Sequence, residues 1–150
     1  SGYRFLEHAV AVGRGLNYAS AQEFALKLME TCYVVAERFS GADFLHGPIA
    51  MLEHAFPVFL FTPSGVTWPG MRALWKTVAE LGSEVWAITD PSNRQASKRA
   101  ASLVIPAALD EIHTPIPYII PAQLFAAYTA QAKGLNPDRP RTLSKVTRTL

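Results

Sequence analysis

Residues 22–48 read QEFALKLMETCYVVAERFSGADFLHGP, and the first half of this stretch has the periodicity of an amphipathic helix. Apolar side chains recur every three or four residues, which predicts a helix from about Ala19 to Arg38. Glu23, Lys27 and Glu30 are spaced i, i+4 and i+7, so at about 100° per residue they share one narrow arc outside the apolar stripe. One helix face therefore presents an acid, an amine and an acid.

The polar groups of this stretch suit proton transfer. His46 follows the predicted helix on a His-Gly-Pro turn signal. A proton-transfer site needs groups of different pKa within reach of one substrate, and Glu, Lys and His supply that range. An ordinary exposed ion pair between Glu23 and Lys27 explains the same spacing without catalysis. Spacing alone leaves both interpretations open.

Length, composition and charge bound the class of protein. The chain has 150 residues, of which 49% are hydrophobic and 17% charged, as expected for one globular domain that buries some surface against a partner. A formal net charge of +2 is too small to indicate a nucleic-acid partner. No apolar run approaches the roughly 20 residues of a membrane span, so no membrane partner is predicted.

The single cysteine, Cys32, falls on the apolar stripe of the predicted helix. No disulfide can form within the chain, and a buried structural thiol is predicted in place of a reactive one. A reducing, cytoplasmic location fits this cysteine usage.

Short apolar runs alternate with helical patterns along the rest of the chain. Four strands separated by helices predict a parallel sheet covered on both faces, because parallel connections need a crossover helix. A short polar helix is predicted to begin at Asp90 as its N-cap. Prolines are predicted to break the helix of residues 112–134 early. The predicted strands are 9–12, 57–61, 84–89 and 103–105, and a further helix covers 68–81.

The turn Gly13-Arg14-Gly15 follows the first predicted strand and precedes the long helix. A strand, a glycine turn and a helix in that order place backbone N–H groups where an anion could dock. A tight turn without a ligand is the alternative. In parallel sheets ligands collect at the carboxyl ends of strands, where this turn, residues 62–65 and residues 89–90 all fall.

These segments together resemble a known family. GRG after the first strand, EFALKLMET, FLHGPIA and NPDRPRTLSKVT are similar to the second sugar isomerase (SIS) domain in the isomerase part of glucosamine-6-phosphate synthase and its relatives. The resemblance covers essentially the whole chain, and its most specific pieces are E-x3-K-x2-E followed by HGP and the closing P-R-x-L-x-K.

The resemblance implies a fold and a domain organisation. The fold is a flavodoxin-like three-layer α/β sandwich. Residues 1–150 would form one SIS domain, the C-terminal half of a longer polypeptide with two such domains. The tail from about residue 135 would pack on the active site.

The resemblance also implies an aldose–ketose isomerisation of a six-carbon sugar phosphate. Glu30 would be the base that moves a proton between C1 and C2, supported by Lys27 and Glu23. His46 would assist ring opening, reaching into the neighbouring subunit of a homodimer. Lys145 would form an imine with the open-chain ketose.

Four further residues, Gly13, Arg14, Gly15 and Ser144, are predicted to bind the substrate. No metal or organic cofactor is expected, because the four histidines show no ligand spacing with cysteines or carboxylates. Dimerisation is expected through the long helix and the segment around His46.

Two departures from the family limit what the chain can do alone. No N-terminal cysteine is present to hydrolyse glutamine, since Cys32 lies inside a predicted helix. The family's phosphate cradle, S-x-S-G-x-T, belongs to the first SIS half, and residues 62–65 (TPSG) are only a loose echo of it. The sequence therefore predicts half of an active site, completed by a first SIS half in the same or a partner chain.

Three functions remain open at this point. The first is the isomerase portion of a glucosamine–fructose-6-phosphate aminotransferase-like protein. The second is a glutaminase-free glucosamine-6-phosphate deaminase/isomerase or a deglycase, since the tail LSKVT is also similar to those relatives. The third is a SIS module that senses a sugar phosphate without turning it over, although such a sensor needs neither a base nor an imine-forming lysine.

Overall fold

Strands and helices alternate along residues 2–99 and 101–142, the part of the chain that this computed structural model describes. The strands are β1 (His8–Gly13), β2 (Val35–Ser40), β3 (Pro57–Phe61), β4 (Glu84–Thr89) and β5 (Ser102–Val104). The α-helices are α1 (Asn17–Cys32), α2 (Gly41–Leu45), α3 (Trp68–Glu80), α4 (Arg94–Ser97) and α5 (Pro115–Ala132). Short 3-10 turns cover Gly2–Phe5, Pro48–Met51 and Glu111–His113.

The five strands form one parallel sheet in the order β2-β1-β3-β4-β5. Within it, β1 pairs with β2 so that His8 lies opposite Val35 and Gly13 opposite Ser40. All carboxyl ends therefore lie at one edge of the sheet, and α1 returns the chain to the other edge, as parallel pairing requires. The strand order is flavodoxin-like and confirms the predicted α/β fold.

Successive strand residues point to opposite faces of the sheet, and different helices cover those two faces. On β3, Phe59 and Phe61 pack into the core under α1 and α5, while Val58 and Leu60 pack into the core under α3. The ring of Phe24 from α1 meets that of Phe59 edge-on, with centroids 4.9 Å apart. These contacts produce the three layers, with α1 and α5 side by side on one face.

The predicted helix 19–38 is wrong over its last six residues. The helix ends at Cys32, where Tyr33 adopts a left-handed φ of 55° and donates its backbone N–H to the carbonyl of Leu28. Residues 35–40 then form β2, a strand that the sequence analysis missed. Val34 and Ala36 are buried while Val35 is 59% exposed, so the burial period changes here to that of a strand.

Two other helices differ from their predictions. The N-cap of α4 is Asn93, whose side chain accepts from the N–H of Ala96, and Asp90 instead accepts from the N–H of Ser92. The prolines do not break α5. Pro115 and Pro117 lie in its first turn, where N–H groups have no helical acceptor, and only Pro121 removes an internal hydrogen bond.

Cys32 is fully buried, and its Sγ lies 3.0 Å from the carbonyl oxygen of Ala126 on α5. Burial raises the pKa of this thiol, which confirms the prediction of a structural cysteine. No helix within residues 2–99 and 101–142 is long and apolar enough to cross a bilayer.

Candidate active site

The acid, amine and acid predicted on α1 form one connected cluster. Nζ of Lys27 lies 2.7 Å from Oε2 of Glu30 and 3.5 Å from Oε1 of Glu23. All three side chains are about one-third exposed, because their arc points away from the side of α1 that packs on the sheet. The helix thus holds a carboxylate on each side of one ammonium, open to a ligand or to another domain.

The environment of Lys27 favours its charged form. The hydrogen bond to Glu30 raises the pKa of the Lys27 ammonium, and the negative charge of Glu23 adds to the effect while partial burial opposes it. Lys27 is therefore a firmly protonated hydrogen-bond donor at neutral pH. An amine in that state is a poor nucleophile and a good partner for a developing negative charge.

A groove of about 400 Å³ borders this cluster. Glu23, Leu26 and Met29 of α1 form one wall, and Arg38 of the edge strand β2 lies opposite. The groove is large enough for part of a sugar phosphate. Arg38 is a cation that the sequence analysis missed, since it assigned this residue to the helix.

The glycine turn after β1 is tight for a structural reason. A Cβ on Gly13 would lie 2.1 Å from the backbone oxygen of Asn17, and Gly15 has a φ of +58°. Both positions therefore require glycine, whether or not a ligand binds. The guanidinium of Arg14 lies against Gly70, at the first turn of α3, and the rest of its side chain is exposed.

The loop between β3 and α3 already contains a negative charge. Glu111 accepts hydrogen bonds from both the backbone N–H and the hydroxyl of Thr67, at the start of α3. A Cβ on Gly65 would lie 2.2 Å from Oε2 of Glu111, so the carboxylate is pressed against the loop. Glu111 therefore occupies the position at which the N-terminus of α3 could bind an anion.

His46 is not brought together with Glu30 within the chain. His46 is exposed and follows α2, beyond the carboxyl end of β2. Glu30 lies thirteen residues after the first residue of α1, about 20 Å along the helix toward the opposite edge of the sheet. One substrate molecule cannot contact both side chains on a single copy of this domain.

The tail is attached near the cluster. The hydroxyl of Tyr33 accepts the backbone N–H of Arg141 at 2.8 Å, and the Arg141 guanidinium lies 4.4 Å from the centroid of the Tyr33 ring. Tyr33 directly follows the end of α1, three residues after Glu30. Ser144 and Lys145 lie outside the described residues, so their predicted roles stay predictions.

The contacts of Glu111 and Tyr33 carried no signal in the sequence. Glu111 contacts Thr67, 44 positions away in the sequence, and Tyr33 contacts Arg141, 108 positions away.

Among the described residues, no group of three or more His, Cys, Asp or Glu side chains is arranged to hold a metal ion.

Comparison with known proteins identifies the family. The family model described as SIS domain matches residues 6–132. This chain is a SIS domain. It is 36% identical over 134 residues to the glutamine–fructose-6-phosphate aminotransferase (isomerizing) of Thermococcus kodakarensis, and 38% identical over the same length to that of Pyrococcus horikoshii. The alignments cover 89% of the SIS domain described here and 22% of each relative.

Solved structures carry the same fold. The C-terminal domain of the glucosamine-fructose-6-phosphate aminotransferase from Francisella tularensis superposes with a TM-score of 0.83 at 28% identity, over 91% of this chain and 39% of that one. The glucosamine-6-phosphate deaminase from Thermotoga maritima superposes with a TM-score of 0.72 at 22% identity, over 97% of this chain and 41% of that one. At 22% identity, this similarity shows that the two proteins share a fold and nothing about a shared activity.

Proposed function

We propose that this SIS domain binds a hexose phosphate and catalyses its aldose–ketose isomerisation, as the isomerase portion of a glucosamine–fructose-6-phosphate aminotransferase-like protein. The observation that carries the proposal is the contact of Lys27 with Glu30 and Glu23 on one open face of α1. Relatives at 36% and 38% identity bear the name of that isomerizing aminotransferase. The cluster supplies a base and a hydrogen-bond donor for the proton transfer.

Glu30 is the proposed base. Moving a proton between C1 and C2 requires a carboxylate that removes it from the carbon next to a carbonyl or an imine. Lys27, held protonated, hydrogen-bonds the substrate oxygen on which negative charge develops. Glu23 balances the charge of Lys27 and lines the neighbouring groove, where Arg38 offers a cation to the substrate.

Lys145 is the proposed imine former. Its place in the chain, four residues after Arg141, limits its Cα to about 14 Å from the Cα of Arg141. Arg141 is held by Tyr33, close to Glu30 at the end of α1. That tether length supports a tail able to bring an amine to the cluster, with Ser144 beside it. An imine acidifies the adjacent carbon and so assists the base.

The site needs a second SIS half. Glu111 fills the anion position of the β3–α3 loop, so this half offers no open cradle there for the substrate's phosphate. Gly13, Arg14 and Gly15 remain proposed substrate contacts at the same edge. His46 is proposed to serve the site of a neighbouring subunit, because it lies too far from Glu30 of its own chain. The whole assembly is proposed to be cytoplasmic and dimeric.

A glutaminase-free deaminase/isomerase or deglycase is the second candidate. It uses the same base and the same imine, and the tail LSKVT favours it equally. A non-catalytic sensor is the third, and the assembled cluster on α1 argues against it. The nitrogen source, the direction of the reaction and the identity of the sugar separate the first two.

The deciding experiment supplies substrates to the chain alone and to the chain joined to a SIS half that carries a Ser/Thr-rich phosphate loop. Fructose 6-phosphate is added with ammonia, and glucosamine 6-phosphate is added separately, and both sugars are followed by NMR in D2O. Deuterium at C1 or C2 supports the proposed isomerisation. Ammonia release from glucosamine 6-phosphate selects the deaminase, and binding without exchange in the joined protein refutes both enzymes.

A further inference from the structure

A basic, aromatic cleft of about 260 Å³ lies between α3 and α4. Because α3 packs on the face of the sheet opposite to α1, the cleft is separate from the candidate active site. One wall comes from α3, where the lining residues recur at steps of about one helical turn, and the other comes from α4 and the residues that follow it. Apart from Ala79, the lining residues are aromatic, cationic or amide-bearing: Trp68, Arg72, Trp75, Lys76, Gln95 and Arg99.

The positive charge of the cleft is largely unbalanced by the chain's own carboxylates. Within residues 2–99 and 101–142, Arg72 and Arg99 form no ion pair. Lys76 pairs with Glu80 at 3.7 Å, but these side chains are 80% and 65% exposed, so solvent weakens the pair. No described acidic residue lines the cleft. Three cations around one small space favour a ligand with several anionic oxygens, such as a phosphate group.

The tryptophans indicate what else the ligand contains. The rings of Trp68 and Trp75 meet edge-on with centroids 6.4 Å apart, and both side chains are half-buried against the core, so packing fixes their positions. The guanidinium of Arg99 lies over the Trp75 ring, 5.6 Å from its centroid. This separation is near the outer limit of a cation–π contact, and Arg99 is exposed, so its side chain can swing aside. A flat ring fits the place on Trp75 that Arg99 then leaves.

The size of the cleft and its amide narrow the class of ligand. The volume of about 260 Å³ is below the roughly 300–1,000 Å³ of pockets for drug-sized ligands, which suits a ligand with one ring system and one phosphate group. Gln95 adds an amide donor and an amide acceptor, the pair that binds the edge of an adenine base through two hydrogen bonds. A flat base joined to a phosphate meets all of these conditions.

We propose that the cleft between α3 and α4 is a binding site for an adenine mononucleotide. The base stacks on Trp75 with its edge against the Gln95 amide, and the three cations of the cleft bind the phosphate. A hexose phosphate lacks the flat ring, so this ligand is not the substrate of the proposed reaction. The inference does not depend on the proposed isomerase activity.

A free mononucleotide fits this cleft better than a nucleic acid does. Single-stranded nucleic acids also stack on aromatic side chains beside cations, but along a groove that follows about four or more nucleotides. This cleft has room for about one nucleotide, and the whole chain has a formal net charge of only +2.

The first test is calorimetric titration of the purified chain with AMP, with adenosine and with inorganic phosphate. AMP is expected to bind at least about tenfold more tightly than either part alone, because base and phosphate contribute together. Arg72→Gln and Arg99→Gln are each expected to weaken AMP binding at least about tenfold, since each removes a charge-assisted hydrogen bond. Arg94→Gln, the same change at an exposed residue of α4 outside the cleft, is the matched control and leaves AMP binding unchanged. Circular dichroism checks that all three variants are folded.

The second test locates the ligand by NMR, using the indole N–H signals of the three tryptophans. AMP is expected to shift the signals of Trp68 and Trp75 and to leave that of Trp86, which packs against the core on the other face of the sheet. A shift confined to Trp86 would place the nucleotide elsewhere and overturn the proposal.

The titrations can also overturn the proposal in three ways. These are no binding of AMP at millimolar concentration, binding of adenosine or phosphate as tight as that of AMP, and AMP binding that neither arginine substitution weakens. A strand of about twelve deoxyadenylates that binds more than about 100-fold tighter than AMP would assign the cleft to nucleic acid instead.

Discussion

Lys27 donates a 2.7 Å hydrogen bond to Glu30, one turn further along α1, while its ammonium lies 3.5 Å from Glu23 one turn before. The helix alone sets this geometry, because side chains three and four residues apart are neighbours on a helix surface. The cluster therefore forms within each copy of the domain. In the proposed reaction, the phosphate site and the ring-opening acid come from outside this copy.

Glu30→Gln is expected to lower the rate of proton exchange at C1 and C2 of the sugar phosphate by at least about 1,000-fold. The amide keeps the shape and polarity of the side chain, so the dissociation constant for the sugar phosphate changes less than about threefold. Exchange is measured by NMR in D2O and binding by calorimetry, on the chain joined to its partner half. Glu80→Gln, in the exposed pair with Lys76, is the matched control. Retained exchange in the Glu30 variant would exclude it as the base.

Lys27→Met is expected to lower stability by the full amount below about pH 10.5, the ordinary pKa of lysine, and by less and less as pH rises through the raised pKa of Lys27. Because Glu30 raises the pKa of Lys27 in the folded chain, its ion pair stabilises the fold at lower pH and is lost as pH rises above the raised pKa. The loss is less than about 1 kcal/mol, because the pair is one-third exposed. Melting curves of both proteins at pH 8 and pH 12 measure it. Lys76→Met, at a side chain that is 80% exposed, should show no such difference, and a difference in stability that persists at pH 12 would mean a packing effect.

Lys145→Ala is expected to remove borohydride-trappable attachment of a ketose phosphate, since no other amine is proposed to form the imine. Tyr33→Leu keeps Lys145 but removes the hydroxyl that holds Arg141, and is expected to slow trapping without abolishing it. Mass spectrometry of the trapped chain measures both. Full trapping in Lys145→Ala would identify another lysine, with Lys27 the first to examine.

Gly13→Ala and Gly70→Ala are expected to have very different effects on the stability of the fold. The new Cβ at position 13 would meet the rigid backbone of Asn17 at 2.1 Å, which costs more than about 3 kcal/mol. At position 70 it would meet only the tip of the Arg14 side chain, at 2.3 Å, which can move. Gly70→Ala should therefore fold normally, within about 1 kcal/mol, and bind the sugar phosphate more weakly if Arg14 contacts it. Unchanged binding would remove Arg14 from the site.

Tyr118→Phe is expected to cost about 1.5–3 kcal/mol of stability, measured by urea unfolding. The Tyr118 hydroxyl donates a 2.5 Å hydrogen bond to Asp90, and both residues are fully buried. Burial and the neighbouring Asp90 raise the pKa of Tyr118, so the hydroxyl stays a donor. Tyr128→Phe, on an exposed residue of the same helix, should change stability by less than about 0.5 kcal/mol. Equal effects would mean that the buried pair contributes nothing.

The parts of the site that the sequence predicted are the local ones. The cluster on α1 follows from helical spacing over eight residues, and the glycine turn follows from its place after a strand. The contacts of Glu111 with Thr67 and of Arg141 with Tyr33 join distant positions, and no spacing rule reveals such pairs.

The missed strand has a similar explanation. The segment from Tyr33 to Arg38 continues the helical pattern as well as it fits a strand, since both Val34 and Val35 are apolar. What decides between the two is pairing with β1, a tertiary interaction that overrides local preference. The proline-rich start of α5 misled the prediction in the opposite sense, because packing retains a helix that Pro121 weakens.

The hydrogen bond between the Arg141 backbone and the Tyr33 hydroxyl has a kinetic consequence for the proposed reaction. A reactive amine four residues from a fixed point is confined to a small volume, and such tethers produce effective concentrations in the millimolar range or above. Imine formation at Lys145 would then behave as a first-order step whose rate depends on the tether and not on the amount of protein. Loosening the tether would lower turnover while leaving every reacting group unchanged.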